Sequence, residues 1–375
     1  MVDLAWKILV HDRLRFAITV SGVAFAVTLV FVQVGLFHGL LGNASITIEE
    51  ATADLWVTAR NTPNVDFSNT FSETLVQRVR SIPGVARADN LIVWFAEVAL
   101  PTGVKENAVI YALEDFRPWN LPWKLMEGEV SDLRRGKFVI LDESAEKRFG
   151  SFAVGDFREF LGQRLKIIGR TQGARSFTTS PIAFMDYRLA QSLDRERLRN
   201  RTTYILIQLS KGADPRAVSD EIRRRLPYND VRDRSEWAAR SRSYWTENTG
   251  LGLNMLMTVA LGCLVGVVVV AQTLYTSTME HLKEFATVKA IGGTDRDIYQ
   301  VVAKQAVIAA VVGFAAGFLM TWILQPILGS IDLKLAIGPG LVAGVFLGTL
   351  LFCLASSMLS FRQVARLDPA LVFRS

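Results

Sequence analysis

Four long stretches of this chain contain no aspartate, glutamate, lysine or arginine: 16–48, 248–279, 305–331 and 335–361. Each is longer than the roughly 20 apolar residues with which an α-helix crosses about 30 Å of hydrocarbon. Backbone groups inside lipid must form their hydrogen bonds within the segment, so helices are expected there. The first stretch is too long for a signal-peptide core and has no convincing small-residue cleavage site behind it. The sequence therefore predicts four retained membrane-spanning helices.

Cysteine and histidine are also scarce. The cysteines, Cys263 and Cys353, lie within predicted spans, so no disulfide framework is expected outside the membrane. The histidines, His11, His38 and His281, have no partners at metal-ligand spacing, and we expect no metal to be bound. The net charge of +6 comes from scattered basic residues with no accompanying nucleic-acid-binding motif. We therefore predict no nucleic-acid partner.

The four uncharged stretches contain no carboxylate, lysine or arginine group. Ion-coupled carriers usually need such groups at membrane depth, because they bind the driving ion. Their absence, together with the small number of helices, argues against a carrier driven by protons or sodium ions.

Basic residues predict the orientation of the chain. They are concentrated in the segment before the first span, in the connection between the second and third spans, and in the tail, whereas the loop between the third and fourth spans has only Lys334. The positive-inside rule then places both termini and that connection in the cytoplasm. In a double-membrane bacterium the spans would lie in the inner membrane. The large segment between the first and second spans is placed in the periplasm.

These patterns divide the chain into nine predicted segments. They are a cytoplasmic amphipathic interfacial helix at 1–15, membrane spans at 16–42, 248–279, 304–328 and 336–361, a periplasmic domain at 43–247, a cytoplasmic connection at 280–303, a short periplasmic loop at 329–335 and a cytoplasmic tail at 362–375.

The inserted segment is expected to fold as an α+β domain. Helical spacing over 72–82 ends at Pro83-Gly84, and runs rich in β-branched and aromatic residues follow. The order of helix, proline and strand at 72–98 recurs at 214–232, which fits two βαβ-type lobes; chance similarity is the alternative. No catalytic constellation stands out, which favours a binding or docking domain over an enzyme.

Glycines recur at four-residue spacing in the later spans. This spacing places them on one helix face and lets neighbouring backbones approach closely. The pattern is common in packed membrane helices, so it predicts a helix bundle and no particular function. The residues concerned are Gly262, Gly266, Gly313, Gly317, Gly340, Gly344 and Gly348.

The connection after the second span contains an amphipathic stretch. Leu282, Phe285, Ala286, Lys289 and Ala290 share one helical face, and Gly292-Gly293 would close the helix as a C-cap. A short helix lying across the cytoplasmic end of a helix bundle would suit a segment that is moved by a soluble partner. On periodicity alone, an ordinary amphipathic loop fits equally well.

The same stretch carries a family motif. Glu284-Phe285-Ala286-Thr287-Val288-Lys289-Ala290-Ile291-Gly292 resembles the signature of the MacB/FtsX/LolC superfamily of ABC permeases, the type VII ABC systems. Further segments are similar to DevC-type permeases: Phe25-Ala26-Val27, Gln33-Val34-Gly35, Ser243-Tyr244-Trp245, Leu274-Tyr275-Thr276 and Leu367-Asp368-Pro369-Ala370. The resemblance covers essentially the whole chain and is weakest in the inserted domain.

The resemblance implies a non-catalytic permease subunit that forms a homodimer in membrane lipid. A separate ABC ATPase subunit would use ATP and Mg, since this chain has no phosphate-binding Gly-x-x-x-x-Gly-Lys-[Ser/Thr] loop and is expected to bind no cofactor itself. Members with DevA/DevB-like partners work with a HlyD-like membrane-fusion adaptor and an outer-membrane duct. The residues expected to couple to the ATPase are Glu280, His281, Lys283, Glu284, Phe285, Ala286, Lys289, Ala290, Gly292 and Gly293.

Three functions are weighed. The resemblance favours mechanotransmission during export of an amphipathic or lipid-like substrate. An FtsX-like permease that activates a periplasmic partner without transport shares the same fold. A membrane receptor or scaffold without an ATPase belongs to another class, and co-purification with an ATPase would exclude it.

Overall fold

The computed structural model describes residues 13–280, 287, 294–330 and 333–364. The chain divides into two compact units, which we call the membrane unit (Met1–Gly39 and Gly252–Ser375) and the inserted domain (Leu40–Leu251). The helices in chain order are α1 (Arg13–Asn43), α2 (Ile46–Glu50), α3 (Leu75–Arg80), α4 (Glu146–Phe149), α5 (Tyr187–Leu193), α6 (Arg195–Leu198), α7 (Pro215–Arg225), α8 (Arg234–Glu247), α9 (Leu251–Glu280), α10 (Asp295–Ser330) and α11 (Pro339–Val364).

Among the described residues, the strands all lie in the inserted domain. They are β1 (Leu55–Ala59), β2 (Phe71–Ser72), β3 (Val85–Ala99), β4 (Lys105–Leu113), β5 (Leu125–Glu127), β6 (Phe138–Asp142), β7 (Phe157–Phe160), β8 (Gln163–Thr171), β9 (Ile182–Asp186), β10 (Arg201–Thr202), β11 (Tyr204–Leu209) and β12 (Asn229–Asp233).

The membrane unit is built from α1, α9, α10 and α11, each long and apolar enough to cross a membrane. On α9 the apolar residues Leu256, Leu261 and Leu264 are 59–61% exposed, as expected of side chains that face lipid. The predicted arrangement of four spanning helices with an α+β domain between the first two is confirmed.

Four strands at one end of the main sheet form two interleaved βαβ units. Their order is β12-β1-β11-β3, and every neighbouring pair in this group is antiparallel. It follows that β1 is parallel to β3, and α3 connects these two strands. In the same way β11 is parallel to β12, and α7 connects them. This is the split βαβ arrangement. The helix–strand repeat seen in the sequence at 72–98 and 214–232 is thus present as two matching units.

The remainder of the sheet continues from β4, which pairs with β3 over the length of a long hairpin. Its order is β4-β9-β6-β8-β5, and β7 pairs with β3 and β8 off this path. The β4–β9 and β6–β8 pairs are parallel, so the sheet is mixed.

Alternation along β1 shows how the sheet separates two cores. Leu55 and Val57 point to the face covered by α3 and α7, where they join a cluster with Val79 and Ile222. Trp56, one residue along, points to the opposite face, which also holds the fully buried Trp237 of α8. Complete burial of such side chains stabilises the fold by about 1.5–3 kcal/mol each.

The turn at Pro83-Gly84 requires glycine. Gly84 has a φ of +92°, and a Cβ there would lie 2.8 Å from Val218 of α7. The turn therefore ends α3, as predicted, and lets the start of β3 approach α7.

Candidate functional site

The predicted ATPase-coupling residues begin at the last residue of α9. Glu280 is described by the structure, whereas the rest lie outside the described residues: His281, Lys283, Glu284, Phe285, Ala286, Lys289, Ala290, Gly292 and Gly293. The structure therefore describes the two ends of this connection, at Glu280 and at Thr294.

At the first end, Glu280 is paired with Arg15 of α1. The guanidinium donates through Nη1 to Oε2 and through Nη2 to Oε1, in the forked arrangement that arginine makes with a carboxylate. The two side chains are 29% and 51% exposed, so water competes for both partners. The pair joins the start of α1 to the residue at which the connection leaves α9.

At the second end, Thr294 caps α10. Its hydroxyl oxygen accepts from the Asp297 amide at 3.4 Å, and the Asp297 carboxylate accepts from the Thr294 amide at 2.8 Å. This reciprocal pattern is a capping box with aspartate in the usual place of glutamate. The Thr-x-x-Asp spacing is visible in the sequence and would have identified the cap.

Among the predicted packing glycines, those of α9 and α10 lie against α1. A Cβ on Gly262 would lie 2.7 Å from Leu29, and one on Gly266 would lie 2.9 Å from Ala26. A Cβ on Gly313 would lie 2.5 Å from Val23, and one on Gly317 would lie 2.7 Å from the backbone oxygen of Ala24. These distances are too short for real atoms, so the four glycines permit close approach to α1.

The α11 glycines differ. Gly340, Gly344 and Gly348 have nothing within 4 Å of the position that a Cβ would occupy. Within one copy of the described chain, the structure does not bring this row against another helix.

Two close approaches of α1 were missed in the sequence. A Cβ on Gly22 would overlap Val269 of α9, and a Cβ on Gly39 would overlap the backbone oxygen of Lys334. Small residues at four-residue spacing give the signal here also, because Gly22 precedes Ala26 and Gly35 precedes Gly39 by four positions.

Aromatic and hydroxyl side chains complete the packing around α1. Phe31 is fully buried, and its ring centroid lies 5.9 Å from that of Phe314 and 5.6 Å from that of Phe318, both in α10. Thr28 donates a hydrogen bond to the backbone oxygen of Gly317. Hence α1 is contacted by both α9 and α10, on different faces of the helix.

No group of three or more histidine, cysteine, aspartate or glutamate side chains is placed so that it could hold a metal ion among the residues that the structure describes.

Comparison with protein families gives two matches that together span most of the chain. Residues 16–225 match the model of the MacB-like periplasmic core domain. Residues 256–369 match the model of the FtsX-like permease C-terminal domain.

The chain is also similar to individual proteins. The chain is 26% identical to the uncharacterized ABC transporter permease Rv2563 of Mycobacterium tuberculosis, over 99% of this chain and 97% of that protein. It is 23% identical to the macrolide export ATP-binding/permease protein MacB of Psychrobacter arcticus, over 64% of this chain and 38% of that protein. The crystal structure of the periplasmic region of MacB from Actinobacillus actinomycetemcomitans aligns with a TM-score of 0.41 at 13% identity, covering 50% of this chain and 92% of that one.

Proposed function

The chain belongs to the family of ABC transporter permeases that combine a MacB-like periplasmic core domain with an FtsX-like permease C-terminal domain, and from this we propose that it is the membrane subunit of an ATP-driven exporter. On this proposal the chain is a non-catalytic subunit. A separate ABC ATPase subunit would bind and hydrolyse ATP with Mg.

The packing of α1 is the observation that carries this proposal. The helix is paired to Glu280 at one end through Arg15, and it is contacted along its length by α9 and α10. It then runs without interruption to Asn43, and so connects the membrane unit covalently to the inserted domain. A movement of the 280–293 connection would therefore reach α1 by two routes: the Arg15–Glu280 ion pair, and the close packing of α9 and α10 against α1.

We infer the following cycle. Two copies of the chain stand side by side, and the ATPase subunits dock on the connection in the cytoplasm. ATP binding brings the ATPase subunits together, and the helices carry that movement to the inserted domains in the periplasm. A HlyD-like adaptor and an outer-membrane duct would receive an amphipathic or lipid-like substrate, with no channel through the inner membrane.

A substitution in the coupling motif tests this proposal. Phe285→Asp places a charge on the apolar face of the proposed docking helix, so we expect it to abolish substrate-stimulated ATPase activity in the reconstituted complex. The measurement is ATP hydrolysis with the chain and its co-purified ATPase in nanodiscs. Tyr228→Asp is the matched control, since Tyr228 is an aromatic residue of the inserted domain that is 80% exposed. Retained stimulation in Phe285→Asp would contradict the assignment.

An FtsX-like signalling role is the second candidate, favoured by the FtsX-like match over residues 256–369. In that case ATP hydrolysis would activate a periplasmic partner and no substrate would move. Isolation of the complex from native membranes distinguishes the two: a HlyD-like adaptor among the co-purified proteins supports export, whereas a cell-wall hydrolase supports signalling. Absence of any ATPase would contradict both.

A further inference from the structure

A cavity of about 470 Å³ in the inserted domain is open to solvent, and aromatic side chains form much of its wall. This volume falls within the range of about 300–1,000 Å³ that is typical of small-molecule sites. Its lining includes Asp66, Phe67, Trp94, Phe95, Arg197 and Tyr244. None of them belongs to the coupling motif or to the glycine rows.

The aromatic wall is a connected cluster. The ring of Phe67 lies 5.8 Å from that of Phe95 and 6.1 Å from that of Tyr244, measured between centroids. Phe67 nevertheless remains 37% exposed, although it lies among other rings. Aromatic faces of this kind attract both apolar groups and cations.

Asp66 is the unusual member of the lining. Its side chain is buried, with the residue only 2% exposed. Oδ2 accepts a hydrogen bond from the Phe177 amide at 3.3 Å, while the buried Oδ1 has no hydrogen-bond partner among the described residues. A buried carboxylate oxygen without a donor is costly, so a positive charge held near it would relieve part of that cost.

Arg197 contributes the opposite charge to the same cavity, but it is exposed. Charges in water interact weakly, whereas desolvated charges interact several times more strongly. Asp66 should therefore dominate the charge preference of the cavity.

We propose that this cavity, lined by Asp66 and by Phe67, Trp94, Phe95 and Tyr244, binds an organic cation with an apolar body. The ammonium group lies at the Asp66 end of the cavity, where the buried carboxylate attracts it, and the apolar body packs against the rings. Identifying this ligand as the exported cargo rests on the proposed function; the binding site itself does not.

Burial supports the assignment in a second way. Desolvation raises the pKa of Asp66 to about 7, so the carboxyl is readily protonated when the cavity is empty. A bound cation favours the ionised form, and its binding should release a proton at neutral pH.

The test compares three probes of similar size: 2-phenylethylammonium, 2-phenylethanol and 3-phenylpropanoate. Their binding to the full chain in nanodiscs is measured by calorimetry at pH 8, with protein-free nanodiscs as the blank. We expect the ammonium to bind at least tenfold more tightly than the alcohol, and the propanoate to bind most weakly.

Two variants assign the effect to the cavity. Asp66→Asn should remove the preference for the ammonium over the alcohol, whereas Tyr244→Ala should weaken both probes. Asp132→Asn, on an exposed surface acid outside the cavity, is the matched control and should behave as the unsubstituted chain.

Three results would each overturn the proposal. The unsubstituted chain could bind the ammonium and the alcohol equally, it could bind the propanoate more tightly than either, or Asp66→Asn could keep the preference for the ammonium. Because the assay contains neither ATP nor an ATPase, its failure would remove the site and leave the proposed export function standing.

Discussion

Thr28 of α1 donates a hydrogen bond to the backbone oxygen of Gly317 in α10, with 3.1 Å between Oγ1 and O. The same hydroxyl lies 2.8 Å from the backbone oxygen of Ala24, one turn earlier in α1. This contact between helices requires glycine at position 317, because a Cβ there would lie only 2.7 Å from the Ala24 oxygen. A backbone atom cannot move aside as a flexible side chain can.

We therefore predict that Gly317→Ala destabilises the membrane unit. The added methyl group would force α10 away from α1 and break the Thr28 bond. Overpacking of this kind costs about 1–3 kcal/mol. The measurement is the thermal unfolding midpoint of the full chain in detergent micelles, which should fall by several degrees.

Gly344→Ala is the matched control for this prediction. A Cβ at position 344 meets nothing within 4 Å, and alanine favours a helix over glycine by about 0.8–1 kcal/mol. We expect its midpoint to equal or exceed that of the unsubstituted chain. An equal loss in both variants would show that packing against α1 is not the cause.

The raised pKa of Asp66 predicts how the stability of the inserted domain depends on pH. The folded carboxyl has a pKa of about 7 because of burial, against its ordinary value of 3.8. Between these values the folded chain holds a proton that the unfolded chain has lost, so stability falls as pH rises through this window. The neighbouring Tyr111 and Tyr204 stay un-ionised here, since burial raises the pKa of each well above 10.

Asp66→Asn should remove this loss, because an amide has no proton to release. We expect the variant and the unsubstituted chain to unfold at similar temperatures near pH 4. The variant should be more stable at pH 8, by an amount on the order of a few kcal/mol. Unfolding is followed by tryptophan fluorescence, with Asp132→Asn as control. A difference between variant and unsubstituted chain that stays constant with pH would contradict the assignment of the pKa to burial of Asp66.

The proposed orientation predicts which positions a membrane-impermeant maleimide reaches in intact cells. A cysteine introduced at Tyr228, which is 80% exposed in the inserted domain, should be labelled from outside the inner membrane once the outer membrane is permeabilised. A cysteine at Arg296, near the start of α10, should be labelled only after lysis. Both experiments use a chain in which Cys263 and Cys353 are replaced by serine. Reversed labelling would contradict the orientation inferred from basic residues.

The membrane helices were predictable because a single physical requirement dominates their sequence. Lipid excludes charge, so the uncharged stretches identify the helices without any knowledge of their neighbours. The βαβ units were predictable for a similar local reason. Helices α3 and α7 each end near a proline, and a strand follows each of them.

Other features depend on contacts that are distant in sequence. Strand β1 pairs with β11 and β12, about 150 and 175 residues away, and its short run of five residues carries no clear signal by itself. The burial of Asp66 is similar, since its partner Phe177 is brought close by the fold. Because such contacts join residues that are far apart in the chain, the sequence of residues 43–247 showed no group of functional residues.

The pairing of Arg15 with Glu280 gives a test of transmission through α1. Glu280→Arg would place two positive charges together, and Arg15→Glu would place two negative charges together. Combining both changes restores an opposite pair with reversed polarity. We expect each single variant to reduce ATPase stimulation by the substrate, and the double variant to regain much of it.

Stability should change little in this series. Both side chains are partly exposed, and such ion pairs contribute about 0.2–1 kcal/mol. The exposed pair between Lys105 and Glu97 in the inserted domain is the matched control, because reversing its charges should leave ATPase stimulation unchanged. If the double Arg15/Glu280 variant stayed as uncoupled as the single ones, the two positions would act separately, and the ion pair would not be the route by which the connection moves α1.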